Sequence, residues 1–151
     1  MFSISRHVAA IVMLALPLSV LAAEGMVTVK SSHSAEATAD KLESVLKDKD
    51  MTVMNRINHT KGADKAGLEL RPTEVVIFGN PKVGTPLMQC AQSVAIDLPQ
   101  KALIWEDSEG TVWLAYNDPE YLKQRHNMEG CDEVIEKVKG ALAGFAKAAT
   151  E

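Results

Sequence analysis

Val75, Val76, Ile77 and Phe78 form an unbroken β-branched and aromatic run between Pro72 on one side and Gly79, Asn80 and Pro81 on the other. Such a run, bounded by turn residues, predicts a short strand buried on both faces, because alternation disappears when neither face meets water. A chain built around it must supply further strands and a layer of helices to cover them.

Two more strand-like runs, Lys101 to Glu106 and Thr111 to Asn117, flank Asp107, Ser108, Glu109 and Gly110. This spacing predicts a hairpin, with glycine at the turn position that needs positive φ. If Asp107 faces Thr111, Trp105 falls opposite Trp113 and Ile104 opposite Leu114. Both faces of the hairpin are then apolar, with Leu103, Trp105, Trp113 and Ala115 on one side and Ala102, Ile104, Val112, Leu114 and Tyr116 on the other. One layer of helices covers one face. The other is expected to meet a second copy of the chain, a ligand or the sheet's own continuation, and a homodimer is the simplest cover.

The helices are legible from their apolar spacing. Ser34 offers an N-cap to a stripe of Ala35, Thr38, Ala39, Leu42, Val45 and Leu46, and Val134, Ile135, Val138, Leu142, Phe145 and Ala149 mark a second amphipathic helix. Met26 to Lys30 and Met51 to Ile57 alternate as strands, and His59 to Gly67 reads as a loose, small-residue segment. Thr85 followed by Pro86 predicts a short helix from Leu87, and Asp118 with Pro119 another through Arg125. The sum is an α+β domain in two layers, β-α-β-β-β-β-α, with an antiparallel sheet packed on two main helices.

Met1 to Ala23 has a cationic start at Arg6, an apolar run from Val8 to Val20 and small residues at Ala22 and Ala23, the pattern of a cleaved secretory signal. The run is shorter than the ~20 apolar residues of a spanning helix, so the mature chain, residues 24–151, is expected as a single exported domain with no membrane segment, periplasmic where the cell has an outer membrane. The whole 151-residue chain carries a formal charge of −4 with Lys and Arg scattered, which argues against nucleic acid as a partner. Cys90 and Cys131 read first as one disulfide in an oxidising compartment, the alternative being two buried thiols. A closed loop of that length corresponds to about 4 kcal/mol on the chain-entropy account.

Asn58, His59, Ala63 and Gly67, then LRPTEVVIFGNPKVGTPLMQ from Leu70, AIDLPQKALIWED from Ala95 and VWLAYNDPEYLKQRH from Val112 together resemble a bacterial family called domain of unknown function 302. The resemblance runs from about Met26 to Ala148. It implies a TBP-like α+β fold and dimers, and it implies no reaction.

The polar residues within the resembling segments are His59, Arg71, Thr73, Glu74, Asn80 and Lys82, with Asp97 and Asn117 further on. Most fall at strand ends, where a sheet fixes groups that loops leave accessible, so the first six are candidates for a small-molecule or partner site. The bland alternative makes Asn80 and Asn117 turn caps and pairs Arg71 with Glu74. Gly84 to Pro86 beside Lys82 offers a weak anion site at a helix start. His59 with Glu74 is the candidate acid/base pair of an enzyme reading, which ranks second because nucleophile, metal and phosphate motifs are missing. A structural, envelope-interaction role ranks third. No cofactor is called for. Met51 and Met54, an odd number apart, are expected on opposite faces of their strand, and His126 with Met128 is the one close pair of metal-type ligands, so no metal site is expected.

Overall fold

The computed structural model describes residues 24–151, and the expected signal, Met1 to Ala23, lies outside the described residues. Five strands, β1 (Met26–Lys30), β2 (Thr52–Asn58), β3 (Thr73–Gly79), β4 (Gln100–Glu106) and β5 (Val112–Asn117), form one antiparallel sheet in the order β1-β5-β4-β3-β2. The helices are α1 (Ala35–Asp48), α2 (His59–Lys65), α3 (Pro81–Cys90), α4 (Pro119–Arg125) and α5 (Asp132–Thr150), with a 3-10 turn at Gln92–Ile96. The two long helices, α1 and α5, pack together on one face of the sheet, as the sequence predicts.

Helix α1 forms because Ser34 accepts a hydrogen bond from the Ala37 N–H at 3.2 Å while Ala39, Leu42 and Leu46 fall on one stripe and are buried. Helix α5 offers Ile135, Val138, Leu142 and Ala146 to the same core. Between them lie Val76 and Phe78 of β3, Ile104 of β4 and Leu114 of β5. Phe78 meets Phe145 edge to face, with ring centroids 6.4 Å apart. The hairpin register is the expected one: Trp105 pairs with Trp113 and Ile104 with Leu114. Its turn uses Gly110 at φ +78°, and the Asp107 carboxylate accepts from the Glu109 and Thr111 N–H groups, both at 2.9 Å.

Four expectations are corrected. Strand β3 is buried on one face: Glu74, Val76 and Phe78 are covered by the helices, whereas Val75 and Ile77 are half-exposed beside Leu103, Trp105 and Trp113 on the outer face. Residues 59–65 are the helix α2, because the Asn58 side chain accepts from the Lys61 N–H and starts a turn. Helix α3 begins at Pro81, capped by Asn80, so Thr85 and Pro86 lie inside it. Asn-Pro and Thr-Pro carry the same start signal, and the earlier one wins. The anion site expected at Gly84 to Pro86 therefore has no helix start under it. Finally, β2 does not alternate throughout: its pairing with β3 shifts between Val53 and Asn55, a β-bulge at Met54. Val53 and Arg56 consequently share the helix-facing side.

Cys90 and Cys131 are bonded, with Cα atoms 6.3 Å apart, joining the end of α3 to the residue before α5.

Candidate functional site

Strand β3 is seven residues long, which at roughly 3.3 Å per residue separates its ends by about 20 Å. His59, Arg71, Thr73 and Glu74 lie at one end, Asn80 and Lys82 at the other, so the six candidates do not converge on one site.

At the first end the bulge in β2 turns Arg56 toward the helices, beside Glu74. Glu74 is 7 % exposed. Its carboxylate accepts from Arg56 Nε at 2.5 Å and from Asn58 Nδ2 at 2.6 Å. Arg56 Nη1 also donates to Asp40 of α1 at 2.5 Å and to Glu43 at 3.4 Å. Burial works against the guanidinium charge, but the hydrogen bonds to Glu74 and Asp40 outweigh it and raise its pKa. Thr73 is held through its N–H, which donates to Thr60 Oγ, and Arg71 Nε donates to the Glu106 carbonyl rather than to Glu74. His59 is exposed on α2, and both Glu74 oxygens are engaged by Arg56 and Asn58, so the acid/base pair of His59 and Glu74 is not assembled. A polar cleft of about 400 Å³ lies over this network, bordered by Ser34, Lys61, Asp64 and Glu106.

The other end is built differently. Strands β2, β3 and β4 and helix α3 border a half-open cavity of about 310 Å³ whose wall is almost entirely carbon and sulfur, with Met51, Met54, Leu87, Met88 and Leu98 prominent in it. No charged residue lines it. Asn80 sits at its rim as the cap of α3: Nδ2 donates to the Asp50 carbonyl at 2.9 Å and Oδ1 accepts from the Lys82 N–H. Lys82 itself is exposed and outside the lining. Gln100 opens β4 opposite Phe78, lines the cavity and is 8 % exposed, and its Nε2 has no hydrogen-bond partner. Met51 packs against the core and Met54 is exposed beside Gly79, on opposite faces as expected, and both border the pocket because it opens at the start of β2. Nothing in the sequence singles out Gln100, whose role depends on a pairing between distant strands.

A third cluster links the 3-10 turn to the end of α4. His126 lies between Asp97 (Nε2 to Oδ2, 2.6 Å) and Ser93 (Nδ1 to Oγ, 3.0 Å), and Arg125 donates to the second Asp97 oxygen at 3.1 Å. Both ring nitrogens of His126 are thus engaged, which removes the His126 and Met128 metal pair.

A five-stranded antiparallel sheet with two long helices on one face defines a two-layer α+β domain. The chain belongs to the family described as "Domain of unknown function DUF302", whose profile matches residues 27–145. It is similar in structure to an uncharacterized conserved DUF302 protein of Bacillus stearothermophilus, with a TM-score of 0.75 and 22 % identity over 84 % of this chain and 99 % of that one. At that identity the likeness speaks for the fold alone. In sequence it is 46 % identical, over 85 % of its length, to "Fluoride-specific ion channel FluC 1" of Brucella suis biovar 1 and to "Fluoride-specific ion channel FluC 2" of Brucella melitensis biotype 1. The match spans 50 % and 47 % of those proteins, so about half of each lies outside it.

Proposed function

We propose that this domain acts after export as a homodimer that holds a small apolar molecule in the cavity beside α3 without changing it chemically. The observation that carries the reading is the 310 Å³ cavity with its methionine-rich wall. Methionine is unbranched and polarizable, and it adapts to apolar ligands of varied outline. Export is supported by the pattern of Met1 to Ala23 and by the Cys90–Cys131 bond, which suits an oxidising compartment. The outer sheet face, with Val75, Ile77, Leu103, Trp105 and Trp113 half-exposed, supports the dimer. The channel name of the Brucella relatives belongs to those proteins; no helix among the described residues here is long and apolar enough to cross a membrane, and no transport is assigned.

Native mass spectrometry of the mature protein from its own compartment, compared with its denatured mass, tests the reading. A dimer carrying a small mass that is lost on denaturation supports it, and a bare monomer sinks it.

A second reading is carried by the Ser93, His126 and Asp97 chain, whose hydrogen-bond order is that of a nucleophile, a base and an orienting carboxylate. It assigns hydrolysis of a simple ester to Ser93. Turnover of p-nitrophenyl acetate at equal rates by the wild type and Ser93→Ala excludes it.

A further inference from the structure

Gly79, the last residue of β3, lines the cavity and brings no side chain to it. Its backbone does not ask for glycine. Gly110 sits at φ +78°, where a side chain is strained, and Gly25, at φ +82°, lies so near the Tyr121 ring that a Cβ would stand 2.6 Å from it. Gly79 has neither reason. Its φ lies outside the left-handed region, and a Cβ built on it would make ordinary contacts, 3.4 Å to Met54 Cε and 3.5 Å to Pro99 Cβ. Glycine also weakens a strand, because its freer backbone loses more entropy on folding and it has no side chain to pack. What it leaves here is space.

The sheet gives that space its shape. Strand β3 lies between β2 and β4; Gly79 pairs with Thr52 on the β2 side, and Pro99 directly precedes β4. Met54 and Pro99 therefore stand on opposite sides of Gly79, and a single carbon atom placed between them touches both. Carbon atoms in contact are about 3.5–4.0 Å apart, so the gap is one carbon layer wide. Behind it the wall adds the thioethers of Met51 and Met88 and, among the described residues, no charged group. An ionised ligand is disfavoured there, since it would be stripped of water without a counter-charge.

From these observations we infer that the cavity takes an uncharged molecule with a flat aromatic ring, whose edge enters the slot between Met54 and Pro99 over Gly79. The inference rests on the reading of this cavity as a ligand site and adds the class of ligand and the residue that selects it. A planar ring is one carbon layer thick and fits the slot, whereas a saturated ring is puckered, carries axial hydrogens and does not. Thioether sulfur makes favourable contacts with aromatic rings, and no aromatic side chain among the described residues lines this wall to supply one. A methyl group at position 79 would stand where the ring edge enters.

The test is a calorimetric titration of two ketones, acetophenone and cyclohexyl methyl ketone, which share one carbon skeleton and differ in whether the ring is flat or puckered. Each is titrated into wild type, Gly79→Ala and Met54→Ala. The wild type is expected to hold acetophenone about three- to tenfold more tightly than the saturated ketone, the range of a thioether–ring contact. Gly79→Ala is expected to lose acetophenone affinity by about tenfold or more, the effect of one methyl group too many in a packed space. It is also expected to melt no lower than the wild type, since the added group meets only ordinary contacts. Met54→Ala removes a side chain that is 51 % exposed, opens one side of the slot and is expected to bring the two affinities together. It carries the test alone should Gly79→Ala disturb the fold. Equal affinity of the wild type for the two ketones overturns the flat-ring class. Acetophenone binding unmoved by Gly79→Ala, or a ratio unmoved by Met54→Ala, overturns the slot; each of these results leaves the cavity reading standing. Failure of both ketones to bind the wild type overturns the cavity reading and the inference with it.

Discussion

The two ends of β3 hold opposite kinds of unfinished business. At the Glu74 end a buried carboxylate is met by Arg56 and Asn58, Arg56 is met in turn by Asp40 and Glu43, and the polar groups close on one another. At the Gln100 end a half-open pocket is walled by carbon and sulfur, and no charged group lines it. Polar residues matching a family pattern attract attention as candidate chemistry, yet a closed network has little left to offer a ligand. The open apolar pocket does, and the contrast separates residues that hold the fold from those available to bind.

Four experiments press on this contrast, the largest effect first. Removing the staple beside the cavity with Cys90→Ser and Cys131→Ser is expected to cost about 2–4 kcal/mol in urea unfolding, the usual range for a native disulfide closing a loop of this size. Arg56→Ala leaves Glu74 buried without its cation and is expected to cost about 2–3 kcal/mol, discounted from the fully buried case because Arg56 reaches solvent. Replacing both partners, Arg56→Met with Glu74→Met, should recover much of that loss, and a double variant as unstable as the single one would show that the network does more than neutralise itself. At the other end Met88→Phe fills part of the pocket and is expected to abolish binding of a small apolar probe such as acetophenone while changing stability by less than about 1.5 kcal/mol. Retained affinity would move the ligand elsewhere.

The smallest effect is one of pH. The hydrogen bond from the Trp113 indole at 2.7 Å, followed by that from the Thr111 N–H, holds the Asp107 carboxylate below its ordinary value of 3.8. A carboxyl group whose folded pKa is depressed stabilises the fold fully above its unfolded value and loses that contribution as pH falls through the folded one. Stability is therefore expected to fall modestly below pH 3.8, and Asp107→Asn should remove that part of the slope. In a Trp105→Phe background, Trp113 fluorescence reports the protonation directly. An emission spectrum that stays constant through the acid limb would place the slope on other carboxylates.

Most of the fold was legible because it is written in local periodicity. The stripes of α1 and α5, the caps at Ser34 and Asp118 and the hairpin register across Gly110 need only neighbouring residues to be read. What escaped depends on distant pairing. Val75 and Ile77 look as apolar as Val76 and Phe78, and only the placement of both long helices on one side leaves them half-exposed. Thr85 and Pro86 imitate a helix start already made at Asn80. The site was read less well. His59, Arg71, Thr73 and Lys82 occupy the strand-end regions expected of them, but Glu74 is consumed by Arg56 and Asn58, and Gln100 carries no local mark at all.

The bulge at Met54 ties the two ends together. Were Met54 paired regularly opposite Ile77 instead of bulged, every side chain of β2 after it would change sides and Arg56 would leave Glu74. One residue thus acts as a phase shifter for the whole edge of the sheet. Deleting Met54 removes one thioether from the wall and leaves Arg56 facing Glu74, whereas a residue inserted after it in regular pairing turns Arg56 away.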